Sequence, residues 1–223
     1  MQFTTSAKNR YIMYNLLMDV TDKIIKIEQW LGSGSINIFG CPFAGKDTQA
    51  RKIAQMLGGE LIAGGDILRS HHEPAKIEKI LDSGGLIPSD EYFNMVLPYL
   101  SQPKFDGKPL ILSSVGRMQG EETTILKATE SSNHPIKAVI FLALQEPEVW
   151  KRFNTAQTTL HDRGGRDDDN QEVIKTRLVN FAQQTMPVIE FYRQKNLLVE
   201  IDGSKTRDEV TADIIEGICN IID

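Results

Sequence analysis

Cysteine is nearly absent: the chain of 223 residues has two, Cys41 and Cys219. Two cysteines build neither a disulfide framework nor a four-ligand zinc site. They fit a reducing compartment, so a cytoplasmic location is expected. Positive charge is in deficit as well, with 25 basic against 30 acidic side chains and a net charge of -5. A broad nucleic-acid-binding surface is therefore not expected, while a small anion pocket stays open. No apolar run reaches the 18 residues of a membrane span, and no basic stretch followed by an apolar one marks a secretory leader at the N-terminus. Glycine and proline, at 17 and 9 residues, are too few for a collagen-like or low-complexity chain.

What is present is ordinary globular material, 40% hydrophobic and 25% charged. The length suits one domain with insertions, large enough to bury a core without staples. Residues 1–35 read as an N-terminal helical extension. Between Tyr11 and Leu31, Ile12, Leu16, Val20, Ile24, Ile27 and Leu31 recur at helical spacing, and Gly32 to Gly34 ends the pattern. A helical layer packed on the core is the expected role, with a partner-binding arm as the alternative. Short apolar runs follow at Ile36 to Phe39, Leu61 to Ala63, Leu110 to Leu112, Ala138 to Leu144 and Leu197 to Ile201. Helical patterns lie between and around them, at Thr48 to Leu57, Ile67 to Leu81, Asp90 to Leu100, Thr123 to Ser131, Glu146 to Gln157, Gln171 to Gln194 and Arg207 to Ile222. Buried strands alternating with helices predict an α/β fold with a parallel sheet covered on both faces.

The strongest chemical signal is Gly40-Cys41-Pro42-Phe43-Ala44-Gly45-Lys46-Asp47-Thr48. It carries G-x4-G-K between a predicted strand and a predicted helix, the context such a motif requires. Backbone N–H groups of such a loop converge on phosphate oxygens. Gly40 and Gly45 allow the dihedrals and the close approach that a side chain would block. Lys46 reaches the outer phosphates. Asp47 stands where the strict pattern has Ser or Thr, and Thr48, one place later, can reach Mg²⁺ or a phosphate. A carboxylate beside a triphosphate repels it unless it points away or helps hold a metal ion. The sequence is compatible with both.

Arginine dominates the second half of the site. Arg152, Arg163, Arg166 and Arg177 surround residues 158–170. Arginine offers a rigid fork of donors matched to phosphate and keeps its charge. Phosphoryl transfer needs such charges aimed at the moving group. Arg166 and Arg177 are about three helical turns apart, and both face one cleft if a helix starts near Asn170. Arg69, after Gly64-Gly65-Asp66, and Arg117, after Ser113-Ser114-Val115-Gly116, each follow a predicted strand, where open parallel sheets place ligands. Cys41 reads as structural, Trp150 and Phe153 as packing, and the four histidines show no metal spacing.

In order and spacing these motifs resemble the adenylate kinase family of nucleoside monophosphate kinases. The segment from Gly40 to Ala50 is similar to that family's G-x-P-G-x-G-K-G-T-Q-A loop. Gly65-Asp66-Ile67-Leu68-Arg69 resembles its G-D-L/M-L-R element. Gly85-Leu86-Ile87-Pro88-Ser89-Asp90 resembles G-x-L/I-V-P-D, and Gly165 to Asn170 with Arg177-Leu178 resembles G-R-x-D-D-N…R-L. Pro187 to Tyr192 continues the likeness, which covers roughly residues 36–222. It implies the three-layer P-loop NTPase fold over 36–223, with a small helical monophosphate-binding segment at 65–95 and a short lid at 153–168. That lid is too short for the zinc-bearing version.

The resemblance further implies reversible transfer of the γ-phosphoryl of ATP, with Mg²⁺, to a nucleoside monophosphate. Gly40, Pro42, Ala44, Gly45, Lys46, Asp47, Thr48 and Arg152 would bind the donor. Gly64, Asp66, Arg69, Ile87, Arg117, Gln119, Arg166 and Arg177 would bind the acceptor, Gln119 if a short deletion is allowed. Lys46, Arg117, Arg152, Arg166 and Arg177 would act on the transferring group, with Arg163 a further lid arginine. No residue is assigned as a direct metal ligand. The partners implied are small nucleotides, without nucleic acid or membrane. The expected state is a monomer, with the N-terminal arm as the surface for any oligomer.

The chain departs from the family pattern at three places. Phe43 and Asp47 stand where the loop has glycines. The D-G-F-P-R element is Ser113-Ser114-Val115-Gly116-Arg117, which keeps the arginine and lacks the acidic residue that helps organise hydrated Mg²⁺. Gly64 replaces the threonine common in adenylate-specific members. Three functions stay in view: an adenylate kinase, a uridylate/cytidylate or other nucleotide kinase, and a nucleotide-binding protein with an inactive site.

Overall fold

The computed structural model describes residues 5–65, 94, 96, 98–158 and 170–223. In chain order its elements are α1 (Thr5–Leu31), β1 (Ser35–Gly40), α2 (Lys46–Met56), β2 (Glu60–Ala63), β3 (Leu110–Ser113), α3 (Glu122–Ser131), β4 (Ile136–Ala143), α4 (Glu146–Thr158), α5 (Gln171–Asn180), α6 (Met186–Gln194), β5 (Leu198–Asp202) and α7 (Arg207–Ile222). The five described strands form one parallel sheet in the order β2-β3-β1-β4-β5. All six residues of β1 are buried, as its central place requires.

Period-two alternation sorts the strand side chains into two layers. Ile36, Ile38, Ile111, Ile140 and Leu142 pack on one side with Ala50 and Ile53 of α2, Ile27 and Leu31 of α1, and Ile214 and Ile218 of α7. Phe39, Leu110, Leu112, Val139 and Phe141 pack on the other with Ile125 of α3 and Val188, Ile189 and Tyr192 of α6. Burying each such side chain stabilises the fold by roughly 1.5–3 kcal/mol. The result is the expected α/β sheet with helices on both faces. The last turns of α1 belong to this core: Ile27 and Leu31 are buried, Lys23 pairs with Glu216 at 2.7 Å, and Lys26 pairs with Asp223.

The periodicity predicts one helix over 171–194, and there the structure differs. Asn170 caps its start by accepting from the Val173 N–H at 3.0 Å. The helix then widens to a π turn at Phe181–Thr185 before α6 resumes. Pro187, which has no N–H to give to the preceding turn, explains the break. The Met186 N–H reaches back five residues to the Phe181 carbonyl instead. Predicted elements over 67–81, and most of 90–100, lie outside the described residues, as do most of the 65–95 segment and of the 153–168 lid.

The chain leaves β1 toward β2 on one side of the sheet and leaves β4 toward β5 on the other. The carboxyl ends of β1 and β4 therefore bound a crevice at a topological switch point, where such sheets bind ligands.

Candidate active site

The loop after β1 closes in five residues, Cys41 to Gly45, and α2 starts at Lys46. Gly45 is the N-cap at φ 90° and provides no side-chain cap. A helix leaves its first N–H groups without intrahelical partners, so the loop and the start of α2 have the geometry that can receive an anion. A Cβ on Gly40 would lie 2.9 Å from the Ala44 Cβ, which holds that position to glycine. Phe43 adopts φ 63° although it is not glycine. Its ring packs edge-on against Phe153 of α4, with centroids 5.8 Å apart, and its carbonyl accepts from Arg152 Nη1 at 3.1 Å. These contacts offset the strain of a left-handed residue where the family pattern has glycine.

Arg152 acts as a tie between loops. Its Nη2 donates to the Gly203 carbonyl at 2.7 Å and to that of Ser204 at 3.3 Å, and Nε lies 3.4 Å from Glu148 Oε1. Hydrogen bonding from Lys151, then from Arg152, holds the Glu148 carboxyl below its ordinary range. Behind the loop, burial pushes the Cys41 thiol up to about 11, while Lys46 draws it back. A protonated thiol is a poor nucleophile, in keeping with a structural Cys41.

Between these elements lies a cleft of about 530 Å³. Ala44, Gly45, Lys46, Asp47, Thr48 and Arg152 line it, so most of the donor-side residues named from the sequence come together. Pro42 lies in the same loop. Gln49 fastens the floor, donating to the Arg207 carbonyl at 2.8 Å and accepting from Thr211 at 2.8 Å. Sequence reasoning missed the opposite wall, Lys205, Thr206 and Arg207. The available signal was position, because these residues directly follow the carboxyl end of the last strand. Lys205 on that wall is paired with Asp213 at 2.6 Å.

The loop after β3 is built differently. Ser114 and Gly116 take φ 52° and 71°. The buried Asn37 of β1 grips Val115 from both sides, donating to its carbonyl at 2.7 Å and accepting from its N–H at 3.4 Å. Thr185 donates to the Arg117 carbonyl at 3.0 Å. Arg117 is thereby held half-buried, Gln119 is exposed, and Arg177 is half-buried on α5. None of the three lines the 530 Å³ cleft. Gly64 is buried just after β2. Asp66, Arg69, Ile87, Arg163 and Arg166 lie outside the described residues.

A hydrogen bond joins the end of β3 to the start of α2. Ser113, the last residue of β3, donates from Oγ to Asp47 Oδ1 at 2.6 Å. Lys46 Nζ lies 3.5 Å from Asp47 Oδ2. Among the described residues no group of three or more His, Cys, Asp or Glu side chains could hold a metal ion. None of their helices is long and apolar enough to cross a membrane.

A covered parallel sheet with a glycine-bounded anion loop between its central strand and the next helix defines the P-loop NTPase architecture. Comparison with known proteins narrows that class. The adenylate kinase family model matches residues 38–197, and the chain belongs to that family. It is similar to an adenylate kinase of Methanocella arvoryzae, 32% identical over 209 residues that cover 81% of this chain and 96% of the relative. An adenylate kinase of a Nocardioides species is 32% identical over 193 residues, covering 81% and 95%. One of Thermus thermophilus is 28% identical over 186 residues, covering 81% and 94%. Family membership supports a nucleotide phosphotransferase function.

Proposed function

We propose that the protein transfers the γ-phosphoryl of ATP, with Mg²⁺, to a nucleoside monophosphate, with AMP the preferred acceptor (ATP + AMP = 2 ADP), in the cytoplasm. The observation that supports this most is the phosphate loop opening into a cleft at the switch point of a sheet of the adenylate kinase family. In this reading the loop N–H groups and Lys46 hold the donor phosphates, and Thr48 lies within the same turn. Arg152 braces the loop through the Phe43 carbonyl and turns to the donor when nucleotide enters. Arg117, with Arg69, holds the acceptor phosphate, and Arg166 and Arg177 meet the transferring group. No general base is required, because positioning and electrostatics carry such chemistry.

Hard oxygen donors at the loop fit Mg²⁺. The Asp47 carboxylate and the Thr48 hydroxyl are the oxygen groups of the loop region that line the cleft. Mg²⁺ typically keeps several waters and is held through one or two carboxylates plus substrate phosphates, not in an all-protein cage. When bound, Mg²⁺ neutralises phosphate charge.

A coupled assay with ATP against AMP, CMP, UMP, dTMP and GMP tests the proposal. The expected result is turnover with AMP preferred. Preference for UMP or CMP would make it a different nucleotide kinase, and nucleotide binding without transfer to any monophosphate would make the site inactive. The absence of a carboxylate at Ser113 motivates that last reading.

A further inference from the structure

The family pattern has an acidic residue where this chain has Ser113 and a glycine where it has Asp47. In the fold those two positions meet: Ser113 Oγ lies 2.6 Å from Asp47 Oδ1. We propose that the carboxylate has changed places with the small residue, and that Asp47, oriented by Ser113, anchors the hydrated divalent cation of bound ATP. The inference rests on the ATP-binding reading above.

Three observations carry it. First, Asp47 lines the phosphate-loop cleft beside Lys46 and Thr48, and its side chain is about half exposed there. A carboxylate in that place opposes a polyanionic ligand unless a cation stands between them. Second, its orientation is set from outside its own helix. A partner 66 residues away, at the end of a buried strand, fixes one carboxylate oxygen. Third, the donor direction matters. Ser113 has one hydroxyl proton and gives it to Asp47 Oδ1 from a buried strand end, where Ser113 is 4% exposed. The half-exposed carboxylate, not the hydroxyl, then faces the cation's water shell.

Lys46 by itself does not set the Asp47 side chain. Side chains at i and i+1 do not face each other on a helix, and the Lys46–Asp47 separation is long for an ion pair, at 3.5 Å. A residue serving only as a favourable acid in the first turn of α2 would need no partner on β3.

The test measures metal affinity, not turnover alone. Mn²⁺ binding to the complex of the full chain with a non-hydrolysable ATP analogue is followed by electron paramagnetic resonance of free Mn²⁺. Binding of the metal-free analogue is measured in parallel. Asp47→Asn, which keeps the shape of the side chain, is expected to weaken Mn²⁺ binding about 10- to 100-fold, with metal-free analogue bound equally well or better. Asp47→Gly should lose Mn²⁺ to the same degree, and Asp47→Gly with Ser113→Asp should recover it. Unchanged Mn²⁺ affinity in Asp47→Asn would overturn the inference. So would an equal loss of metal-free analogue binding, which would make Asp47 a support of the loop. A wild-type protein that holds Mn²⁺ and analogue in this Asp47-dependent way, yet phosphorylates no monophosphate, would defeat the kinase reading and leave the inference standing.

Discussion

The loops after β1 and β3 leave neighbouring parallel strands at the same end of the sheet, yet they are held differently. The β1 loop is held mainly by its own backbone geometry, with outside side chains of α4 added to it. Its tight closure depends on Gly40 and Gly45, and Arg152 clamps it through the Phe43 carbonyl. The β3 loop is held by side chains from elsewhere: the Asn37 amide on Val115, the Thr185 hydroxyl on Arg117, and Ile125 against Gly116. A loop of the first kind presents N–H groups to an anion. One of the second kind positions a side chain, here Arg117. The same contrast explains why the first loop carries a motif and the second tolerates a changed one. Backbone geometry demands particular residues at fixed spacing, whereas external anchors need only exist somewhere in the fold.

The largest test of this contrast separates chemistry from folding. Lys46→Ala should reduce turnover by about 10²- to 10³-fold, the usual cost of losing one charge-stabilising donor, and leave the melting temperature within a degree or two. Unchanged turnover would remove Lys46 from the reaction. Gly116→Ala should do the reverse. Its new Cβ would meet Ile125 Cγ1 at 2.5 Å at a φ of 71°. Overpacking and left-handed strain together should cost about 2–4 kcal/mol in urea unfolding. Gly45→Ala sharpens the comparison, because at φ 90° a Cβ there meets nothing within 4 Å. Strain alone remains, about 1–2 kcal/mol. Equal costs at the two glycines would erase the distinction between backbone-held and side-chain-held loops.

Asn37→Ala tests the external anchor itself. Removing a buried amide that serves both polar groups of Val115 should cost about 2 kcal/mol. It should also raise the acceptor KM through Arg117 while the ATP KM stays near its wild-type value. A rise confined to the ATP KM would show that Asn37 serves the β1 loop and not the β3 loop.

The difference between the loops also decided what was legible. Local signals were readable. The five described strands fall on the apolar runs, and α7 falls on the predicted Arg207–Ile222. The β1 loop is visible from its glycines and Lys46. What was hidden is held over distance. Nothing in the spacing of Ser113 and Asp47 announces a 2.6 Å contact. The bracing of the loop by Arg152 is invisible because its carbonyl partners at Phe43, Gly203 and Ser204 carry no side-chain signature. The break at Phe181–Thr185 escapes because apolar residues keep helical spacing through it, although Pro187 marks the place. Lys205 and Arg207 escape because no motif follows β5.

The smallest effect concerns Cys41, at the back of the β1 loop. Its thiol is buried, and burial raises it from an ordinary value of 9.0 to about 11. The folded state thus keeps a proton that the unfolded chain releases above pH 9. The unfolded state binds fewer protons in that window, so stability falls as pH rises. Below pH 9 the contribution is fully present, and it is lost on passing through the folded value. By pH 10 the loss is about 1.4 kcal/mol, one unit of proton-binding difference. Wild-type stability should therefore decline between pH 8 and pH 10 by about that much more than Cys41→Ala, measured by urea unfolding at each pH. Parallel curves would mean that the thiol is not shielded. In the same terms, iodoacetamide should leave Cys41 unmodified at pH 8 in the folded protein. Alkylation at the rate of an exposed thiol would show that the loop opens at its base, and its backbone would then not be the rigid element of the pair.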